Sequence, residues 1–567
     1  MSLLMSLLPL AAFLADALAQ TPTPSCHKNH AARDYKMTAM PPPKKLTGIG
    51  NSHLKITTKS PEAQAWFDQG LNLHHCFWDF EEYRAFKEAA RLDPDAAMAW
   101  WGIVQAIDPY PAMQDEKNAA IEKMKSLTSK ASDHEQFYIR AYLRSKDNDD
   151  KDGYAREMEA LVDKYPDDLD AKLLLGLSLD YGYERDGRPD KSALYPQLLV
   201  RDVLRARPDS AAAHHYMVHM LESSLHAEDA VPNARELTRL APGSGHMIHM
   251  PGHIYYRIGQ YDQARESFLA SKKFEEDYMK REKLSTVDDW NYPHNLSYLI
   301  ASDAESGRYK EALELATLVD GLPANPFLGA GSPQHAITIG SAAVRLKIRF
   351  GDYRAAVDHP VELGYSEEDA GQSATGFRDG MIAYARGMVA LQKNDAVSAQ
   401  HDSDALDAIL WRLQSVKTDD KENKDDNPKR PSTILELYSL DLRGNLRAAQ
   451  GRLDEAIDLL KKAADKEDIS GYTEPPQYAR PELEALGYVC IRAKKFEDAR
   501  EAFRKEMKAR PNSGHALYGI AQAYEEEGKR AEAARAYREF LDAWKGADRD
   551  LPMVRHAEAA AAAVQSR

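Results

Sequence analysis

Residues 480–511 read RPELEALGYVCIRAKKFEDAREAFRKEMKARP, and their spacing decides the fold. Leu483 and Gly487, then Phe496, Ala499 and Phe503, mark two apolar stripes at helical spacing, and Pro511 closes the segment. The next stretch repeats the pattern in register with Leu517, Ala521, Tyr524, Gly528, Ala533 and Tyr537. A further copy runs from Gly245, with Gly252 at the small position, Tyr255 at the aromatic one, Gly259-Gln260-Tyr261 at the turn, then Ala264 and Phe268. The small residues belong where two helices approach closely. A hairpin of this size cannot bury its apolar face alone, so tandem copies imply neighbours stacked on one another.

This spacing resembles the tetratricopeptide repeat. The resemblance implies an all-α solenoid, a right-handed superhelix of antiparallel helix pairs. Weaker copies extend it. Trp66, Gly70, Phe86, Ala89 and Pro94 mark one, Gly102 the next, and Gly176 another after Pro166. Gly307, Tyr309 and Ala312 belong to a repeat from Pro293; Gly351, Tyr353 and Ala356 to one near Ala336; Gly444, Gly451, Leu453 and Ala456 to one near Glu436. A degenerate copy spans Ala383 to Ala399. About eleven or twelve hairpins are expected. The segments AFKEAARLDPDAAMAWWGI, HYMVHMLESS, APGSGHMIHMPGHIYYRIGQYDQA, YPHN and YTEPPQYARPELEALGY also resemble a narrower group of exported bacterial tetratricopeptide proteins carrying HMPxHIYxRxGxYxxA. That likeness implies the fold and the unity of the motifs, and it names no reaction.

The 567 residues are 43% hydrophobic and 29% charged, a balance that suits stacked repeats. A net charge of −15 without a long basic block argues against nucleic acid. Met1 to Ala19 form an apolar stretch ending Ala17-Leu18-Ala19, read as a signal peptide, so the mature chain is expected to begin near Gln20 and to be periplasmic or secreted. No other segment is apolar enough to span a bilayer. The three cysteines, Cys26, Cys76 and Cys490, are too few for a disulfide framework; export would permit a Cys26–Cys76 bridge, which nothing in the sequence establishes.

The register breaks in four places. Residues 20–60 form a Pro/Thr/Lys-rich arm. Residues 280–292, KREKLSTVDDWNY, read as an insertion that brings Trp290 and Tyr292 towards His294, and residues 361–380 read as a polar, Gly-containing loop. Residues 417–432, KTDDKENKDDNPKRPS, read as a charged linker between an N-terminal array (61–416) and a C-terminal block (433–567).

The candidate site lies in the array. His215, His219 and Glu222 fall within an arc of about 60° on one helix, and His246, His249 and His253 within a similar arc on the equivalent helix of the next repeat. His215 and His249, like His219 and His253, recur at the ~34-residue period. Imidazoles one turn apart can chelate a divalent ion, and a carboxylate can complete or orient the set. Pro251 is expected to kink the second helix between His249 and His253. The repeat family implies that these positions line a concave groove, together with His294, His74 and His75.

The metal reading takes His215, His219, His246, His249 and His253 as ligands of a divalent transition metal (Zn, Cu or Fe), with Glu222 as ligand or general base. Tyr255, Tyr292 and His294 are placed beside them as supporting or substrate contacts. Such a protein would bind a ligand in its groove, with a metal-dependent hydrolase or oxidase as one form of it. Glu474, in YTEPPQYAR, is a further groove candidate beside Tyr478, although a Pro-Pro joint that caps the next helix is the favoured reading of that segment. The alternative is a scaffold that holds a peptide or partner protein without metal or catalysis, its histidines packing beside Met217, Met220, Met247 and Met250.

Overall fold

The computed structural model describes residues 42–567 except 109, 111–112, 147–149, 180–181, 184–187, 190, 287–288, 323–339, 360–366, 416–430, 471–473, 475–479 and 564–567. The signal-peptide reading, Cys26 with its bridge to Cys76, Tyr478 and nearly all of the charged linker lie outside the described residues. The described chain is all-α, with 25 α-helices and no strand; Tyr183 and Pro189 form an isolated bridge. Successive helices pair as antiparallel hairpins, the solenoid construction expected from the repeats. None of the described helices is long and apolar enough to cross a membrane.

The repeat positions do in three dimensions what their chemistry suggests. Phe86 fills the space left by Gly70 and Gly102 on flanking helices, where an added Cβ would come within 2.6 and 2.3 Å of its ring. Phe503 does the same against Gly487 and Gly519, at 2.5 and 2.4 Å. Hairpins close through a recurrent left-handed turn residue: Gly259 has φ 72° and Gly307 φ 78°, and the following amides, Gln260 and Arg308, return to the carbonyls of Tyr255 and Asp303 at 2.8 Å. Lys494 makes the same turn at φ 58°, so the bonding pattern outlives the glycine.

The chain divides into two compact units, one comprising residues up to Ile254 together with Lys273–Leu284, the other Tyr255–Lys272 together with Ser285–Arg567. In the first, residues 42–60 are extended and tied down at several points. The Ser52 amide donates to Asn72 (2.9 Å), the Thr57 amide to Glu135 (2.6 Å), and the Gly48 carbonyl accepts from Gly243 (2.7 Å), while Ile49, Leu54 and Ile56 are buried. The Cys76 thiol, pushed up to about 12 by burial, donates to the Ile49 carbonyl.

Two expected interruptions are helical in part. Residues 280–282 extend the Tyr261–Glu282 helix, and the loop expected over 361–380 is replaced from residue 367 by the Glu367–Gln392 helix. The glycines that suggested a loop are contact positions: Cβ atoms on Gly376 and Gly380 would meet Leu413 and Leu435 at 2.8 and 2.7 Å. The Gly245–Arg257 helix also continues through Pro251.

Candidate metal centre

Two helices of the first unit build the site. Ala211–Glu222 begins at Ser210, whose hydroxyl accepts from the Ala213 amide at 3.2 Å, and every one of its residues is buried. A helix apolar or neutral on all sides is a core helix, which explains its alanines and methionines. Gly245–Arg257 carries the second histidine row. The histidines expected to face an open groove are instead enclosed: none of His215, His219, His246, His249 and His253 is more than 3% exposed.

The imidazoles converge. His215 Nε2 lies 3.0 Å from His219 Nε2 and 3.1 Å from His246 Nε2. One ring nitrogen from each of the three lies within 4.8 Å of the others, and together they could hold a metal ion. His253 Nε2 lies 2.6 Å from His249 Nε2.

The partners of the opposite ring nitrogens fix the tautomers. His215 Nδ1 is 2.7 Å from the His75 carbonyl, which can only accept, so Nδ1 carries the proton and Nε2 presents a lone pair. Glu222 does the same for two rings: one oxygen accepts from His219 Nδ1 at 3.3 Å and the other from His253 Nδ1 at 2.6 Å. The Nε2 lone pairs of His215 and His219 therefore face each other beside His246 Nε2, an arrangement that a shared metal ion suits. Burial, then the neighbouring His219 and His246, holds His215 well below its ordinary pKa and disfavours the proton. Three imidazoles, two of them oriented through Nδ1 by a carbonyl and a carboxylate, form a donor set that suits zinc, copper or iron.

Phe77 covers this cluster, with ring centroids 4.7 Å from His215, 5.5 Å from His219 and 5.6 Å from His246. Its backbone sits at φ 52°, a left-handed conformation costly for a bulky side chain and held by its surroundings. His75 takes part differently from the expected groove contact. Its Nε2 is 3.0 Å from Asp170 Oδ1 and its Nδ1 is 2.8 Å from the Tyr216 hydroxyl. Burial would raise Asp170, but the hydrogen bond from His75 outweighs it and leaves the carboxyl below its usual range. Burial, then the Asp170 charge, pushes the Tyr216 phenol far up, so it stays protonated. His74 turns to Glu82 at 3.0 Å. Burial would lower its pKa, yet Glu82 raises it overall.

The remaining candidates belong to the second unit. His294 packs against Trp290 and Tyr298 at 5.9 and 5.3 Å between centroids, and Tyr292 is buried. Tyr255 lies against the cluster of Tyr256, Phe268 and Tyr298, and Glu474 is half-buried between segments outside the described residues. Sequence reasoning missed Phe77, Asp170 and Tyr216. Tyr216 and Phe77 adjoin histidine pairs in the sequence, a usable signal; Asp170 lies far along the chain and gives none.

Repeated helical hairpins with small and aromatic residues at these positions are the architecture of helical-repeat proteins. Within that class, residues 515–545 match the family described as Tetratricopeptide repeat. Among solved structures, the chain is similar to a chain in the crystal structure of the APC/C hetero-tetramer Cut9-Hcn1, at 13% identity over 87% of this chain and 76% of that one, TM-score 0.31. It is also similar to yeast Tom70, at 16% identity over 89% of this chain and 96% of that one, TM-score 0.27. No curated protein matches the chain. Repeat scaffolds of this kind offer surfaces suited to protein or peptide partners.

Proposed function

We propose that this chain is an exported tetratricopeptide protein that holds a divalent transition-metal ion, zinc, copper or iron, in the buried histidine centre of its first unit. The observation that carries the reading is the convergence of the His215, His219 and His246 Nε2 atoms, two of them with their Nδ1 protons committed to fixed acceptors. Those three histidines are the ligands. Glu222 positions His219 and His253 through their Nδ1 atoms, which uses both of its oxygens and favours an orienting role over that of a general base. His249 and His253 stand beside them as a further pair. Elemental analysis of untagged protein tests this: the parent should carry stoichiometric metal and His219→Ala should lose it with helical circular dichroism retained. Equal metal in both would reject the assigned ligands.

Export is supported by the apolar stretch Met1–Ala19 and its Ala-Leu-Ala ending. Mass spectrometry of the native protein should find an N-terminus near Gln20, and an intact Met1 would overturn it.

A scaffolding role is favoured by a separate observation. Leu194 and Leu198 are 51% and 59% exposed, one turn apart on the Lys191–Ala206 helix with Tyr195 beside them, an apolar stripe suited to a protein or peptide partner.

A further inference from the structure

Behind the histidine centre, Asp170, His75 and Tyr216 form a buried chain of hydrogen bonds whose direction is set by its first member. Asp170, on the first turn of the Leu169–Ser178 helix, can only accept when ionised, so it takes the Nε2 proton of His75. In the neutral ring His75 Nδ1 is then a lone pair, and the Tyr216 hydroxyl donates to it across 2.8 Å. All three side chains are buried, so water cannot substitute for His75 as the proton acceptor. The phenol ring lies 5.5 Å from the His215 ring and 5.9 Å from that of Phe77, between centroids.

We propose that Tyr216 is a redox-active tyrosine, a one-electron donor whose proton is taken by His75. The oxidant is an oxidised transition-metal ion, held at the neighbouring histidines or arriving as an outer-sphere complex, and it is reduced by one electron. As the electron leaves the phenol ring, the O–H bond breaks, and an N–H bond forms at His75 Nδ1. The products are a neutral phenoxyl radical and an imidazolium. The Asp170 carboxylate keeps its charge and balances that imidazolium at 3.0 Å. Re-reduction returns the electron to the ring and the proton to oxygen. Without a positioned acceptor, oxidation would strand a cation radical in a low-dielectric interior, which burial strongly disfavours. The supply of electrons to the metal rests on the metal reading; the relay itself does not.

The test uses the full-length chain, freeze-quenched after mixing with hexachloroiridate(IV), with electron paramagnetic resonance as the readout. A tyrosyl radical is expected in the parent, lost in Tyr216→Phe and strongly diminished in His75→Leu. Asp170→Asn should shorten its lifetime, and the parent's radical should form more slowly in D2O. Parent protein stripped of metal with a chelator should form the same radical under this external oxidant, so failure of the metal reading and failure of the relay are distinguishable. Circular dichroism checks that each variant folds, and Tyr216→Phe, which removes one hydroxyl, keeps the test available if His75→Leu does not. A radical unchanged in Tyr216→Phe, equal formation rates in H2O and D2O, or no radical in the parent would overturn the proposal.

Discussion

The two units carry buried polar clusters of opposite character on the same kind of helical hairpin. In the second unit, Arg349 reaches Glu305 at 2.9 Å and clasps Glu484 with two bonds of 2.7 and 3.0 Å. Glu305 also accepts from Ser513 at 2.7 Å, and its carbonyl takes the Trp544 indole at 2.7 Å. Two carboxylates there share the Arg349 guanidinium, and Glu305 takes a further donor at its carboxylate and another at its carbonyl. In the first unit the histidine centre is a set of imidazoles whose Nε2 atoms point at one another, with a carbonyl and a carboxylate behind two of them. A cluster that satisfies itself is a structural fastener, whereas one that leaves lone pairs facing each other calls for something between them.

The largest expected effect lies on the fastener. Arg349→Met should destabilise the protein by about 3–5 kcal/mol in urea denaturation, because two buried carboxylates lose their cation together. A loss below ~1 kcal/mol would mean that the second cluster is not the self-contained lock described. The first unit should answer to a chelator instead. With free metal near a hundredfold over its dissociation constant, removing it should cost the parent about 3 kcal/mol of apparent stability and leave His215→Ala, already without metal, unmoved. Equal chelator sensitivity in both proteins would erase the contrast. His215 and its neighbours are enclosed, so the histidine variants also carry a packing cost, and the chelator difference isolates the metal contribution from it.

What the units share should respond alike. Gly102→Ala and Gly519→Ala push a methyl into Phe86 and Phe503, and each should cost about 1–3 kcal/mol in thermal or urea unfolding. One variant tolerated and the other not would show that the hairpins pack by different rules in the two units.

Gly519, between the marked positions Leu517 and Ala521, was not legible in the sequence; Gly102 was, because helix packing is local, small and aromatic positions meeting within adjacent hairpins. The single-face rows of His215 with His219 and of His246 with His249 and His253 were legible for the same reason, from helical geometry alone. The enclosure of these rows was not, since it depends on Phe77 from a different hairpin. Nor was the partnership of Asp170 with His75, or of Arg349 with Glu484, as neither spacing nor periodicity relates residues so far apart. The Glu367–Gln392 helix was hidden by Gly376 and Gly380, which read as loop residues until Leu413 and Leu435 are seen to occupy the space beside them.

The smallest effect separates two glutamates within the second unit by the sign of their pH dependence. Burial would raise Glu305, but Arg349, then His515 and Arg510, hold it down to about 2. Its contribution is therefore present above the unfolded value of about 4.3 and is lost as pH falls towards 2. Glu467 runs the other way. Burial, then the Glu506 charge, pushes it up to about 8, against the opposing pull of Arg510 and of the Glu482 amide, which donates to it at 2.7 Å. Between about pH 4.3 and 8 the folded chain keeps a proton that the unfolded chain releases, so stability falls as pH rises through that window, by no more than ~1.4 kcal/mol per unit for one proton. Glu467→Gln keeps an acceptor for the Glu482 amide and removes the titration. The variant should therefore gain on the parent as urea midpoints are compared from pH 6 to pH 8. Parallel pH profiles would show that Glu467 already finds its charge balanced in the folded chain, and that the second unit is as fully matched at this position as it is around Arg349.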